Sequence, residues 1–182
     1  MGKGISKFSQ KICMKPSDYK ILLLGLEGSG KTTLFDRLKY NEVYVRYPTI
    51  GFIADSVRIN SMNVTLWDCG GHDKIMKLWK NYFEYTDLVI IVIDASDSEQ
   101  NDNIKSILNL LQKDLPGVYI MLLLNKCDLP NACSTNDFIS NINLDSYNLK
   151  ISKIIRTSLI NGTEMKEIKK SICNVLNSIT SS

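Results

Sequence analysis

The feature that most constrains this chain of 182 residues is a glycine-rich turn, GLEGSGKTT, which begins at Gly25. The turn follows Tyr19–Leu24, an apolar run typical of a strand buried on both faces, and it precedes Lys31–Lys39, where apolar residues recur at helical spacing. A GxxxxGK[ST] turn between a strand and a helix directs backbone N–H groups and the helix N-terminus at phosphate oxygens. The pattern therefore predicts a site for a nucleoside triphosphate. The residues predicted to surround its phosphates are Glu27, Gly28, Ser29, Gly30, Lys31, Thr32 and Thr33.

Strand and helix patterns alternate along the rest of the chain. Phe52–Ile59 and Met62–Trp67 flank Asn60-Ser61 and predict a hairpin, whereas LVIIVIDAS and VYIMLLLNKCD predict two more buried strands that end in polar residues. The remaining predicted elements are helices over Asp73–Phe83, Ser98–Lys113 and Glu164–Ile179 and a strand near Ile151–Thr157. This alternation predicts an α/β sheet with helices on both faces and a ligand at the carboxyl ends of the strands.

Composition limits the class of protein. The chain is 44% hydrophobic and 23% charged, as in a globular domain, and no apolar run approaches the roughly 18 residues of a membrane span. It has no apolar signal-peptide core. Five scattered cysteines without a CxxC pair argue against a disulfide framework and against a zinc site, and they favour reduced thiols in the cytosol.

The motif NKCD, Asn125–Asp128, follows the second of these strands. The Asp128 carboxylate can accept two parallel hydrogen bonds from guanine N1–H and N2–H₂, a donor pair that adenine lacks. The stem of Lys126 can lie over the base plane. The later TSL motif predicts that Ser158 or Leu159 offers a backbone N–H to the base, although a plain strand-to-helix turn explains it nearly as well.

Three residues beyond the phosphate loop, Thr49, Asp68 and Gly71, complete a predicted Mg²⁺-nucleotide site. Thr32 of the phosphate loop opens the first helix, and its hydroxyl and that of Thr49 are predicted Mg²⁺ ligands. Asp68 follows a strand and can hold Mg²⁺ through water. Gly71 can bring its N–H close to a γ-phosphate, so the segments around Thr49 and Gly71 are predicted to respond to GTP but not to GDP.

Together these motifs give the chain a clear resemblance to the Arf and Arf-like family of small GTPases. It rests on GLEGSGKTT, YPTIGF, WDCGGHDKIMKLWKNYF, NKCDLPNA and the tail MGKGIS, and it covers nearly the whole chain. The resemblance implies a P-loop small GTPase fold, with a six-stranded, mostly parallel mixed sheet and helices on both faces. It also implies a monomeric GTP/GDP switch with an exchange factor, a GTPase-activating protein and effectors, and a hairpin that slides in register between nucleotide states.

The same resemblance assigns Phe52, Trp67 and Tyr82 to a hydrophobic triad that effectors recognise. The alternative from residue type alone is three core aromatics. The departures from the family pattern include Leu159, a bulkier residue than the usual Ala beside the base.

His72 is the only histidine of the chain, and it stands where the family usually has the Gln that orients the attacking water. A neutral imidazole has one donor and one acceptor nitrogen, so it can hold a water, and catalysis is assigned to His72 with Lys31 and Gly71. The alternative is an impaired switch whose His72 faces solvent. Arg46, three residues before Thr49, is a candidate cis arginine finger or a solvated loop arginine.

The first residues predict a membrane anchor. Gly2 fits the N-myristoylation motif M-G-x-x-x-[ST], and residues 1–17 combine an apolar helical stripe with a lysine at every fourth position. Residues 1–15 hold four of the 22 basic residues and no acid, which leaves 18 basic against 19 acidic residues elsewhere. We therefore expect an anionic membrane surface rather than nucleic acid as the partner of this tail. The alternative is a disordered basic tail.

The sequence thus predicts a tail, residues 1–17, and a GTPase domain, residues 18–182. The predicted protein is cytoplasmic, associates reversibly with the Golgi or another endomembrane, and hydrolyses GTP slowly in membrane trafficking. Two alternatives remain open, a GTP-binding scaffold with negligible hydrolysis and a P-loop metabolic kinase.

Overall fold

One six-stranded sheet forms the centre of the computed structural model, which describes residues 19–181. The strands lie in the order β2-β3-β1-β4-β5-β6, and β2 is antiparallel to β3 whereas the other pairs are parallel. Their bounds are β1 Tyr19–Leu24, β2 Phe52–Ile59, β3 Met62–Cys69, β4 Leu88–Asp94, β5 Tyr119–Asn125 and β6 Lys150–Arg156. The predicted mixed, mostly parallel sheet is confirmed. The tail helix and Gly2 lie outside the described residues.

Helices cover both faces of this sheet. Their bounds are α1 Lys31–Tyr40, α2 Asp73–Met76, α3 Asn101–Asp114, α4 Thr135–Ile142 and α5 Met165–Thr180, and short 3-10 turns span Trp79–Tyr82, Ser98–Gln100 and Leu144–Ser146. None of the helices among residues 19–181 is long and apolar enough to cross a membrane.

Two hydrophobic clusters, one on each face, form the core. Along β1, Ile21 and Leu23 point into the cluster covered by α1 and α5, whereas Leu22 and Leu24 point into the cluster covered by α3 and α4. All four side chains are fully buried. This explains why β1 is apolar at successive positions: a strand covered on both faces has no solvent side. The rigid sheet places the carboxyl ends of β1, β3, β4 and β5 at one edge.

The predicted helix Asp73–Phe83 is wrong as a single element. Instead, α2 ends at Met76 and a separate 3-10 turn follows. Trp79 is fully buried and its indole N–H donates to the Gly70 carbonyl at 3.0 Å. This tertiary contact draws the chain inward and overrides a regular helical path, which leaves Leu78 half exposed.

Helix α4 was absent from the sequence prediction. It is eight residues long, and a capping box defines its start: the Ser134 hydroxyl accepts from the Asp137 N–H, while the Asp137 carboxylate accepts from the Ser134 N–H. Phe138 and Ile142 bury its one apolar face.

Candidate functional site

The phosphate loop is a tightly held turn between β1 and α1. Gly30 precedes α1 with φ 104°, and a Cβ there would lie 2.3 Å from the side-chain nitrogen of Asn125, so only glycine fits. Lys31 is 6% exposed, and its ammonium donates to the Leu26 carbonyl at 2.8 Å. Burial lowers the pKa of Lys31, while the nearby Asp68 carboxylate opposes that shift. A buried ammonium with one carbonyl partner is well suited to phosphate oxygens.

Two hydroxyls converge on one carboxylate beside this loop. The Thr32 hydroxyl donates to Asp68 Oδ2 at 2.6 Å, the Thr49 hydroxyl donates to the same oxygen at 3.1 Å, and the two hydroxyl oxygens are 3.2 Å apart. Burial raises the pKa of Asp68, whereas the hydrogen bond from Thr32 and the charge of Lys31 act in the opposite direction. The three residues predicted to hold Mg²⁺ are therefore brought together.

The donor set fits a hard cation. Asp68 is fully buried, and its Oδ1 has no hydrogen-bond partner within residues 19–181. An orphaned buried carboxylate oxygen is costly unless a cation or water satisfies it. In the part of the chain that the structure describes, no cluster of three His, Cys, Asp or Glu residues could hold a metal. A cation here would thus rely on hydroxyls, one carboxylate, water and phosphate, which is the ligand set that Mg²⁺ takes in nucleotide sites.

Gly71 packs directly against the phosphate loop. A Cβ at this position would lie 2.5 Å from the backbone of Gly25, Leu26 and Glu27, none of which can move like a flexible side chain. Glycine is therefore required for this close approach. It holds the segment after β3 beside the phosphate loop, where its predicted contact with a γ-phosphate would occur.

A cleft of about 550 Å³ runs between these segments. Phosphate-loop residues, the segment 44–50 and the segment 70–75 line it, and His72 is part of its exposed wall. His72 is the N-cap of α2: its Nδ1 accepts a hydrogen bond from the Lys74 N–H at 3.3 Å. Because Nδ1 is an acceptor here, a neutral ring carries its proton on Nε2, which is then a donor.

Asn125 joins the phosphate loop to the loop after β6. Its side-chain N–H donates to the Ser29 carbonyl at 2.8 Å, and its Oδ1 accepts from the Leu159 N–H at 3.0 Å. Asn125 is 4% exposed. The Leu159 side chain is fully buried in the cluster covered by α1 and α5, so it packs beneath the site and does not stand over a base as a bulky obstruction.

The other predicted base-binding residues have distinct settings. Lys126 has φ 63°, and its ammonium pairs with Asp94 Oδ2 at 2.5 Å, so the end of β4 fixes its stem. Asp128 is exposed. The Ser158 N–H donates to the Thr163 hydroxyl at 2.8 Å. Both backbone N–H groups predicted to contact the base, those of Ser158 and Leu159, therefore already donate to groups of the protein.

The predicted triad forms a half-buried aromatic cluster. The rings of Phe52 and Trp67 stack with centroids 4.7 Å apart, and Tyr82 lies 4.9 Å from Phe52 and 5.8 Å from Trp67. Sequence reasoning missed Lys20, whose ammonium lies 4.7 Å above the Trp67 ring and donates to the carbonyls of Tyr82 and Glu84. The cluster packs against the core on one side and keeps a solvent-facing side.

Arg46 has a partner that the sequence did not reveal. Its Nε and Nη2 donate to both carboxylate oxygens of Asp36 over 2.8–3.1 Å, and the Asp36 side chain is only 1% exposed. Arg46 is therefore an exposed loop arginine, with 37% of its side chain accessible, but its guanidinium is paired and not free in solvent. As a finger it would have to leave this ion pair or act through Nη1, which makes no bond to Asp36. The available signal was an Asp beside Leu34, Phe35 and Leu38, the apolar residues of helix α1.

Comparisons with known proteins agree with this geometry. The sequence profile of the ADP-ribosylation factor (Arf) family matches residues 5–176. ADP-ribosylation factor K of Dictyostelium discoideum is 40% identical over 131 residues, which cover 71% of this chain and 70% of that protein. ADP-ribosylation factor J of the same organism is 38% identical over 129 residues, or 70% of this chain and 69% of that protein.

Two solved structures share the fold. The Arl6 BBS3 small GTPase from Trypanosoma brucei, solved with the nucleotide analogue GppNp, superposes with a TM-score of 0.77 at 24% identity, over 90% of this chain and 98% of that one. The mammalian SRP receptor gives a TM-score of 0.76 at 17% identity, over 86% of this chain and 99% of that one. Both identities are low, so these two likenesses speak for the fold alone.

Proposed function

Because the chain belongs to the ADP-ribosylation factor family of small GTPases, we propose that it is a Mg²⁺-dependent GTP/GDP switch that hydrolyses GTP slowly and acts on membranes in trafficking. One observation carries the proposal: the hydroxyls of Thr32 and Thr49 meet on the buried carboxylate of Asp68, next to Lys31. The family also sets aside the metabolic kinase alternative.

Recognition of the nucleotide divides between two loops. The backbone of the phosphate loop and the ammonium of Lys31 bind the phosphates, with Glu27, Gly28, Ser29, Gly30, Thr32 and Thr33 around them. Asp128 accepts the two guanine hydrogen bonds and selects against adenine. Lys126, held by Asp94, lies along the base, and Asn125 fixes the two loops relative to each other. Ser158 and Leu159 belong to the loop that Asn125 holds beside the base, and their N–H groups would have to leave Thr163 and Asn125 to contact it.

Thr32, Thr49 and, through water, Asp68 would hold Mg²⁺, which neutralises the charge of the phosphates when it is bound. The buried, unpartnered Oδ1 of Asp68 supports this assignment. Since Thr49 belongs to the exposed segment 42–50 and Gly71 to the segment after β3, a γ-phosphate would hold both segments at once. GDP lacks these contacts, so the two segments report which nucleotide is bound.

His72 is proposed to position the attacking water, with Lys31 and Gly71 stabilising the transferred phosphoryl group. Since its Nδ1 accepts from the Lys74 N–H, the neutral ring acts through the Nε2–H donor. It therefore orients the water or a phosphate oxygen without removing a proton, which phosphoryl transfer does not require. A Gln offers a donor and an acceptor, so a donor-only His72 favours slow turnover. The second candidate, a GTP-binding scaffold with negligible hydrolysis, rests on this same observation.

The remaining parts of the proposal concern partners. The half-buried cluster of Phe52, Trp67 and Tyr82 is a surface for effector proteins, and an exchange factor and a GTPase-activating protein would set the nucleotide state of the monomer. Gly2 and residues 1–17 are proposed to attach the protein to an endomembrane, the Golgi among the possibilities, by a myristoyl chain and a basic amphipathic helix.

Single-turnover GTP hydrolysis by the purified protein tests the proposed function. We expect a rate on the order of 10⁻⁴ s⁻¹, as in Ras-like proteins that lack an activator, and a slower rate in His72→Ala. Asn81→Ala, a change at an exposed residue just beyond α2, is the control and should match the wild type. Tighter binding of ATP than GTP would overturn the proposal. GTP binding without detectable turnover in either protein would favour the scaffold.

A further inference from the structure

Asp36 is a buried carboxylate at a position of α1 where an apolar residue would be expected. It lies in the middle of α1, beside Leu34, Phe35 and Leu38, which form the core face of that helix. Asp is a weak helix former, and a buried charge is costly unless it is paired. Such a departure from local preference marks a position with another role.

All the hydrogen bonds of this carboxylate within the described residues come from one side chain outside the helix. Arg46 donates three times, from Nε and Nη2, at 2.8–3.1 Å. Planar pairing of this kind fixes both distance and orientation, which a lysine in the same place could not do. The hydrogen bond to Asp36 raises the pKa of the Arg46 guanidinium, which therefore stays charged. The exposed segment 42–50 is therefore fastened to α1 at Arg46.

The same segment has a second attachment to the same helix. Thr49 contacts Thr32, which lies one turn before Asp36 on α1. Four residues of helix rise about 6 Å, and the three-residue step from Arg46 to Thr49 can span up to about 10 Å. The two attachments therefore match in spacing, and the segment runs antiparallel along α1 with Arg46 and Thr49 as its two fixed points.

From this geometry we propose that the Asp36–Arg46 ion pair is a latch that positions Thr49 for Mg²⁺ and so favours GTP over GDP. The inference rests on the proposed switch function. The pair exists only while the segment 42–50 lies along α1. The ion pair therefore stabilises only the arrangement in which this segment lies along α1 and Thr49 is near Thr32. A contact made in one arrangement only raises the affinity for the nucleotide that needs that arrangement, which here is GTP. Arg46 is then a positioning residue that acts through Thr49.

The test is a double-mutant cycle on nucleotide affinity. Arg46→Gln, Asp36→Asn and the double variant are compared with the wild type for binding of fluorescent GDP and of a fluorescent, non-hydrolysable GTP analogue in Mg²⁺. Loss of one partner of a charged pair whose carboxylate is buried should lower the ratio of GTP-analogue to GDP affinity roughly tenfold to a hundredfold. GDP affinity, which also reports an intact fold, should change less than about twofold. The double variant should be no worse than the single variants.

Two surface substitutions serve as matched controls. Arg58→Gln removes an exposed arginine whose Nε donates to the carbonyl of Asn60, and Asp102→Asn removes a carboxylate whose side chain is 93% exposed. Neither should move the affinity ratio. An unchanged ratio in Arg46→Gln and Asp36→Asn would overturn the latch, as would additive losses in the double variant. Faster hydrolysis in Asp36→Asn would also overturn it, because a released Arg46 would then be acting as a finger on the phosphates.

A second readout does not depend on guanine-nucleotide binding. Backbone ¹⁵N order parameters of the segment 42–50 in the protein without nucleotide should fall when either partner is removed, while those of α5 stay unchanged. If the wild type binds no guanine nucleotide, the proposed function fails and these order parameters still decide whether the latch exists. If the order parameters are the same in wild type and variants, the latch is refuted even though nucleotide binding stands.

Discussion

The phosphate loop and the segment 42–50 face the same cleft but are built differently. In the phosphate loop, Ser29 and Lys31 are buried, and Asn125 ties the loop to the far side of the site. In the segment 42–50, Tyr47 and Ile50 are almost completely exposed, and the side chains of Arg46 and Thr49 hold it to α1 and β3. The phosphate loop, which we call the first wall of the cleft, is therefore part of the core. The segment 42–50, the second wall, lies on the surface.

On the proposed function, the difference explains how one site would bind both GDP and GTP and still distinguish them. The phosphates common to the two nucleotides would meet the wall that is preorganised by buried contacts, so little ordering would be needed on binding. The third phosphate would meet the wall with few contacts of its own, whose position is therefore easily changed. Substitutions in the first wall should weaken both nucleotides, and substitutions affecting the second should weaken GTP alone.

The largest expected effect comes from Lys31→Ala in the first wall. Loss of a buried, charge-assisted contact to the phosphates should weaken both GDP and GTP, each by about a hundredfold or more. Isothermal titration calorimetry with each nucleotide in Mg²⁺ measures this, with Lys166→Ala, a change at an exposed lysine of α5, as the control. A loss confined to GTP would contradict the division between the two walls.

A smaller effect, restricted to GTP, is expected from Gly71→Ala. Its Cβ would lie 2.5 Å from phosphate-loop backbone, so the segment after β3 has to withdraw from the cleft. Affinity for a GTP analogue should fall about tenfold while GDP affinity stays within about twofold. The control is again Lys166→Ala, the change at an exposed lysine of α5. Equal losses for both nucleotides would show instead that the added methyl group distorts the phosphate loop.

The first wall was also much easier to predict from the sequence than the second. A phosphate loop needs glycines, a lysine and a hydroxyl at fixed spacing, and Asp68, Gly71 and the NKCD motif follow strands whose apolar runs are plain. These requirements are local, so the sequence displays them. The alternation of strands with helices likewise sufficed for the sheet and its two covered faces.

What the sequence did not reveal depends on contacts between elements. The break after α2 follows from the bond between Trp79 and the Gly70 carbonyl, although the apolar spacing there is helical. The pairing of Arg46 joins a loop to a helix across ten positions, and no periodic pattern links them. The Lys20 contact with Trp67 joins neighbouring strands of the sheet that lie far apart in the chain. Such pairs become visible only when the elements are packed.

The smallest expected effect concerns a second ion pair between α1 and its surroundings. Lys39 of α1 pairs with Asp55 of β2, but 22% of the one side chain and 45% of the other remain exposed. Water and salt screen such a pair, and measured values for exposed pairs are about 0–1 kcal/mol. Asp55→Asn should therefore change the free energy of unfolding by less than about 1 kcal/mol and leave the ratio of GTP to GDP affinity within about twofold.

Urea unfolding and the nucleotide titrations measure both quantities for Asp55→Asn beside Asp36→Asn. The contrast between the two variants separates a buried attachment of α1 from an exposed one on the same helix. Asp55 belongs to the hairpin of β2 and β3, where Phe52 pairs with Cys69 and Ala54 with Trp67. The pair of Lys39 and Asp55 can favour GTP only if it is made in the GTP-bound form and broken in the GDP-bound form. If Asp55→Asn altered the affinity ratio as strongly as Asp36→Asn, the hairpin would therefore have to change position with the nucleotide.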